Sequence, residues 1–325
     1  MRDRVLGKTG FEVSAVTLGG GGIGMLWGPT TEEECVETVK QAVVSGINIV
    51  DVAPLYGRGK AEEIVGKAWA DLSPKPLIAT KIYITPDDRG DLRAAVRRSL
   101  EQSLRRMGVD RIDLLQLHNQ VEPNAPATRT RLSIPEVVGR GGVLEAMQQL
   151  KEEGMVRALG FSGVARHDAV ADLFRDERLQ TVQLVTNVLC SEGEMGAKGD
   201  ALSRDHLKML RLAGAAHFGV FGIRPFAAGS LTATIDRTLP ADHTARKDFA
   251  LAQRHLGFLE AEPPYSAAFA AMRYALSLAN VSTVVTGAKN RAELAEAVAA
   301  EEAGPLSSAT MERIAELQRT VFASG

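Results

Sequence analysis

Ile47-Asn48-Ile49-Val50-Asp51-Val52-Ala53-Pro54-Leu55-Tyr56-Gly57 reads as a buried strand that ends on a carboxylate and turns, within five residues, to a tyrosine. The pattern recurs: the apolar run Leu77 to Ile82 carries Lys81 near its end, and Ile112 to Leu117 runs straight into His118. Outward from these three, strand-like and helix-like patterns alternate along the chain. The remaining strand candidates are Ala15 to Leu18, Val156 to Phe161, Thr181 to Thr186, Gly219 to Ile223 and Thr283 to Thr286. Most are continuous apolar runs, as parallel strands covered on both faces are. Helix patterns follow them at Thr30 to Val44, Ala61 to Ala70, Leu92 to Met107, Val143 to Glu153, Asp168 to Phe174, Leu202 to Leu212, Ala267 to Leu278 and Arg291 to Ala299, several ending at glycines such as Gly46, Gly108 and Gly154. Eight such pairs predict an α/β fold, a single (β/α)8 TIM barrel over residues 1–325. A short N-terminal β-hairpin near residues 3 to 14 precedes it and a helix from Ser308 to Val321 follows.

Composition narrows the function. The 38 Lys and Arg residues against 40 Asp and Glu leave a net charge of -2, which offers no field for nucleic acid or anionic lipid. Cys35 and Cys190 are the only cysteines, too few and too far apart for a disulfide framework or a cysteine metal site, and no metal is expected. The start lacks a signal-peptide core, and no stretch approaches the roughly 18 apolar residues of a spanning helix, so a cytoplasmic protein is expected. Three long connections, near residues 119 to 142, 187 to 201 and 226 to 262, follow strand C-terminal ends, the catalytic face of such barrels, and are expected to wall a substrate site.

Asp51, Lys81 and His118 end three consecutive strands, with Tyr56 in the loop after the first, so one face of the barrel gathers all four. Each alone has an ordinary structural explanation; together they suit proton transfer. A phenol is a weak acid, with an ordinary pKa of about 10. A neighbouring ammonium lowers that value, and Lys81 is expected to do so, with Asp51 holding the lysine charged. His118 then hydrogen-bonds the reacting oxygen or passes it a proton. The set suits reduction of a carbonyl.

The opening Leu6-Gly7-Lys8-Thr9-Gly10, the Asp51-x-Ala53-Pro54-x-Tyr56-Gly57 block, Ala79-Thr80-Lys81 and Arg111-Ile112-Asp113-Leu114-Leu115-Gln116-Leu117-His118 resemble, in order, the signatures of the aldo-keto reductase family. The resemblance spans nearly the whole chain. It implies a catalytic tetrad of Asp51, Tyr56, Lys81 and His118, with Tyr56 as general acid and a nicotinamide cofactor extended over the barrel mouth. It also implies that Ser162 and Gln183 hold the nicotinamide carboxamide, although Gly163 stands where the family usually has an Asn. The loop Arg224 to Leu231, with Gly229, would cover the pyrophosphate. Gly287, Lys289, Arg291 and Glu293 would hold the adenosine end, where Ala297 replaces a frequent Asn, and Lys289 with Arg291 would pair with a 2'-phosphate.

NADPH is therefore the expected cofactor, with NAD(H) possible, and a small carbonyl or alcohol the expected substrate. Trp27, Tyr83 and Asn119 are candidate substrate contacts. The Gly19-Gly20-Gly21-Gly22-Ile23-Gly24 run spells a Rossmann dinucleotide fingerprint, but Met25 to Pro29 separate it from the helix it should open. It is read instead as a flexible pocket wall. Two alternatives stand beside NADPH-dependent carbonyl reduction: an NAD-linked dehydrogenase of an aldose or pyridoxal-type alcohol, and a non-enzymatic nicotinamide-binding regulatory subunit. Oligomeric state carries no signal in the sequence.

Overall fold

The computed structural model describes residues 1–124, 130–193, 206–260 and 266–322. Strands β1 (Asp3–Val5) and β2 (Glu12–Ser14) pair antiparallel, with Arg4 opposite Val13. The chain then runs through β3 (Val16–Gly19), α1 (Gly20–Ile23), α2 (Glu32–Val44), β4 (Ile49–Asp51), α3 (Lys60–Trp69), β5 (Leu77–Ile82), α4 (Leu92–Met107) and β6 (Ile112–Leu117). It continues as β7 (Val121–Glu122), β8 (Leu132–Ser133), α5 (Ile134–Val138), α6 (Val143–Glu152), β9 (Val156–Ser162), α7 (His167–Leu173), β10 (Thr181–Val185), α8 (His206–Ala215) and β11 (Gly219–Ile223). After α9 (Thr244–His255) come α10 (Ala267–Ser277), β12 (Thr283–Thr286), α11 (Arg291–Glu302) and α12 (Ser308–Leu317). Strands β3, β4, β5, β6, β9, β10, β11 and β12 close in that order into a parallel barrel, which excludes the open Rossmann sheet.

Strand alternation explains what fills it. Residues pointing out of the barrel, such as Val50, Ile78, Leu115, Leu159, Val182 and Val220, join the helices in one large apolar layer. Residues pointing in form a second core: Ile49, Ala79, Leu114, Ala158 and Phe221 meet Leu6, Phe11 and Val13 of the opening hairpin, which plugs the N-terminal mouth. Two positions further along β4, β5 and β6 the inward residues become Asp51, Lys81 and Gln116, joined by Gln183 from β10. The period of two thus separates an apolar plug from a polar layer at the C-terminal mouth.

Local signals set the helix ends. Thr31 caps α2 by accepting from Glu34 N, with Glu32 to Glu34 in the first turn, where acids suit the helix dipole. Asp91 caps α4, which stops at Gly108 with φ of 65°. The expected tail helix continues past Leu317 as a π-helical turn, Gln318–Phe322.

Two expectations change. The glycine run does line the pocket, at Gly19 to Gly21, but Gly20 to Ile23 form a fully buried helical turn directly after β3 rather than a loose loop. A Cβ on Gly22 would lie 2.2 Å from the carbonyl oxygens of both Gly287 and Ala288, so close backbone packing sets the glycine. The connection near 119 to 142 holds β7, β8 and α5, whose Ser133 and Glu136 form a capping box, and that near 226 to 262 holds α9. Of the three connections expected to wall the site, only that from 226 lines the cavity among the described residues; residues 125–129, 194–201 and 261–262 of these connections, and 202–205 of an expected helix, lie outside the described residues. Among the described residues no helix is long and apolar enough to cross a membrane.

Candidate active site

Neighbouring registers bring the strand-end residues together. Gly19 pairs with Asp51, Asp51 with Ala79, and Lys81 with Gln116. Lys81, fully buried, donates from Nζ to Asp51 Oδ2 at 2.7 Å and to the Val52 carbonyl at 3.0 Å. Asp51 Oδ1 accepts from Gln116 Nε2 and Gln183 Nε2, each at 2.9 Å, so four strands are tied through one carboxylate. Such an ion pair is stable only when its remaining polar atoms are also satisfied. The loop after β4 folds Tyr56 back so that the Lys81 ammonium lies 4.9 Å from its ring centroid. The rings of Tyr56 and His118 meet edge to face at 5.7 Å.

Burial works against the Lys81 charge, but Asp51, with Tyr56, more than restores it and raises the pKa. The phenol of Tyr56 is pushed above its ordinary value by burial; Lys81 draws it back and Asp51 adds to the rise. The expectation that Lys81 lowers it is therefore outweighed, because desolvation exceeds an ammonium whose field Asp51 partly cancels. Burial, then the nearby Lys81, drive His118 down to about 3. His118 is thus a neutral imidazole near pH 7, able to donate one hydrogen bond but not to act as an acid. Its Nδ1 has no hydrogen-bond partner among the described residues although it is buried.

Asp51, Tyr56 and His118 line a cavity of about 610 Å³ at the C-terminal mouth, with Lys81 directly behind them. From this end the wall runs past Gly19 to Gly21, Ser162 and Gln183, along the loop after β11 with Arg224 and Gly229, to Gly287, Lys289, Glu293 and Ala297. That loop is contorted: Arg224, Ala227 and Ala228 have φ of 57°, 46° and 57°, each costing on the order of 1–3 kcal/mol in a non-glycine residue. The far end is crowded with charge. Lys289 Nζ contacts Asp236 Oδ2 at 2.5 Å and also binds Glu293, while Arg237 lies over the Trp27 ring at 5.2 Å. Glu296 accepts from Ser266.

Several candidates sit elsewhere. Trp27 does line the cavity, but beside Gly21, Gly287 and Arg237. Tyr83 packs edge-on to His118, with centroids 6.4 Å apart, outside the cavity wall. Asn119 is buried and bridges two loops, accepting from Ile84 N and donating to the Ile84 and Thr130 carbonyls. Leu231 packs into an apolar cluster with Val188, Leu189 and Leu256 rather than on the cavity. Arg291 pairs with Glu34 at the surface, Nη2 to Oε2 at 3.0 Å. A Cβ on Gly163 would lie 2.8 Å from the Gln183 carbonyl oxygen, so this backbone leaves little room for the side chain usual there. Gln116 was missed, although a glutamine two residues before His118 in a buried strand points to the same interior. Asp236, Arg237 and Glu296 carry no sequence signal, because only the folding of distant segments brings them to the wall.

The model of the aldo/keto reductase family matches residues 15–319. An L-galactose dehydrogenase of Arabidopsis thaliana is 29% identical over 300 residues, covering 91% of this chain and 87% of that protein. An NADH-specific methylglyoxal reductase of Escherichia coli (strain K12) is 28% identical over 207 residues, 58% of this chain and 60% of that one. A solved aldo-keto reductase from Klebsiella pneumoniae in complex with NADPH superposes with a TM-score of 0.68 at 21% identity, covering 98% of this chain and 95% of that one. With an eight-stranded closed barrel and a family match over almost its full length, the chain belongs to the aldo/keto reductase family and is an oxidoreductase.

Proposed function

We propose that this enzyme moves a hydride between a nicotinamide dinucleotide and a small carbonyl or alcohol substrate, with Tyr56 carrying the proton. The carrying observation is the Asp51, Lys81, Tyr56 and His118 cluster at the inner end of an elongated cavity. The cavity's extent, the orphaned Nδ1 of His118 and the strained loop after β11 suit a bound dinucleotide. When bound, the cofactor supplies or accepts the hydride. Tyr56, kept protonated by its raised pKa, donates to the developing alkoxide in reduction; Lys81, held by Asp51, stabilises the tyrosinate left behind. Neutral His118 orients the carbonyl oxygen by hydrogen bonding. Ser162 and Gln183 border the nicotinamide end, and Arg224 and Gly229 the diphosphate. Tyr56→Phe should lower turnover by roughly 10²–10⁴-fold or more while leaving dinucleotide affinity nearly unchanged. Near-normal turnover in that variant would remove Tyr56 from the role.

A second observation bears on the cofactor. Lys289 and Arg291, expected to meet a 2'-phosphate, are each matched with carboxylates: Lys289 with Asp236 and Glu293, Arg291 with Glu34. Burial works against the Lys289 charge, and the two acids more than restore it. A phosphate would have to displace these carboxylates and then face them, whereas a ribose hydroxyl can donate to one. This charge balance supports NAD(H) over NADP(H), and with it the NAD-linked dehydrogenase reading. Fluorescence titration should give tighter binding of NADH than NADPH, with the gap narrowed or reversed in Asp236→Asn combined with Glu293→Gln. Tighter NADPH binding by the unaltered enzyme would overturn the preference; binding of neither would overturn the nicotinamide reading itself.

A further inference from the structure

Away from the cavity wall, three metal-ligating side chains from separate segments converge. His167 opens α7, Glu192 lies in the connection after β10, and His206 stands at the head of α8, with one ligating atom of each within 4.8 Å of the others. The two imidazole rings meet at 70° with centroids 6.0 Å apart. His206 is buried, and its Nε2 lies 2.9 Å from the Cys190 carbonyl oxygen. A carbonyl can only accept, so Nε2 carries a proton, and in the neutral imidazole Nδ1 is the nitrogen left to ligate. A ring N–H donated to a backbone carbonyl is how metal-binding histidines are held in tautomer and orientation.

We propose that His167, Glu192 and His206 form a binding site for a divalent transition-metal ion, with Zn²⁺ as the best fit and solvent completing its shell. Two imidazoles and one carboxylate suit Zn²⁺ at about 2.0–2.2 Å, whereas calcium and magnesium favour all-oxygen sets. Ligands around a tetrahedral ion lie roughly 3.3 Å apart at those bond lengths, so the present spread closes with small side-chain rotations. The three side chains also engage other groups, with which the ion competes. The site shares no residue with the cavity wall but has a neighbour packed against it. Gly193, next to Glu192, packs so closely on Arg224 that an added Cβ would lie 2.3 Å from Nη2, and Arg224 lines the cavity. A bound ion would tie α7, the connection after β10 and α8 together.

The test uses the full chain without a histidine tag, stripped with chelator and dialysed against Zn²⁺, with metal content and affinity measured and Co²⁺ absorption as a second readout. Wild-type protein should take up one ion per chain and show a tetrahedral Co²⁺ spectrum. His167→Ala and Glu192→Gln should each weaken Zn²⁺ binding by ~100-fold or more, beyond the roughly 10–100-fold cost of losing an outer-shell partner. Glu192→Gln preserves size, and unchanged circular dichroism and dinucleotide binding establish that both variants fold. Absence of stoichiometric uptake by the wild type, or uptake unaltered in Glu192→Gln, would overturn the site.

Discussion

His118 illustrates how far a side chain's chemistry departs from its type. A histidine at a site of proton transfer ordinarily titrates near pH 6.5, but burial and Lys81 hold this one neutral down to about 3. The rate of carbonyl reduction should therefore show no inflection between pH 5 and 7, and should fall only in alkaline solution as Tyr56 loses its proton, above the ordinary phenol value. A step near pH 6.5 that vanishes in His118→Gln would return a proton-transfer role to the histidine. The same shift bears on stability. Between about pH 3 and 6.5 the unfolded chain binds a proton at His118 that the folded chain refuses, so this residue favours folding above that window and progressively less as pH falls through it. His118→Gln should flatten the loss of stability in that range, as followed by denaturant unfolding at several pH values. Residue types alone pointed to the four side chains that the barrel gathers, because ionisable groups ending three adjacent strands are conspicuous. They did not expose the direction of the Tyr56 shift, which depends on how much solvent the fold removes.

The turn α1 shows a motif whose spelling misleads and whose packing explains it. Its glycines match a dinucleotide fingerprint, yet Gly20, Gly21 and Gly22 are glycines because Tyr56, Trp27 and the Gly287 to Ala288 backbone approach to within 2.2–2.9 Å of where a Cβ would sit. At Gly22 the obstacle is main chain, which cannot rotate away. Gly22→Ala should push α1 from the β12 to α11 connection, costing about 1–3 kcal/mol of stability by overpacking. Because Gly287 and Ala288 line the cavity, dinucleotide affinity should fall with it. A variant with unchanged melting temperature and affinity would show that the backbone yields there. The helices and strands themselves were legible within a few residues, since their caps and periodicities are local. The secondary structure inside the long connections was not read: α9 packs on Ala270, Tyr274 and Ile314 from later segments, whereas α5 did carry a local signal, the Ser133 to Glu136 capping box, that went unused.

The barrel as a whole stacks two cores along one axis, an apolar plug below and a hydrogen-bonded charge layer above. Leu6 is fully buried in the plug against interior strand residues although it belongs to the opening hairpin. Leu6→Ala should cost about 2–5 kcal/mol, read as a lower midpoint in denaturant, with kcat little changed because the charge layer lies at the other mouth. A loss of activity larger than the loss of folded protein would mean the plug also sets the tetrad's geometry. From its sequence alone the chain declares eight strand and helix units, a hairpin, a tail helix, and three ionisable side chains at consecutive strand ends with a tyrosine in the loop after the first. Each of these rests on short-range periodicity or on residue type. Tertiary structure alone decides that Gln116 and Gln183 converge on Asp51, that Arg291 turns to Glu34, that Asp236 confronts Lys289, and that His167, Glu192 and His206 meet. These pairings depend on barrel closure and on where long loops come to rest, and electrostatic interaction falls with distance in space regardless of separation along the chain.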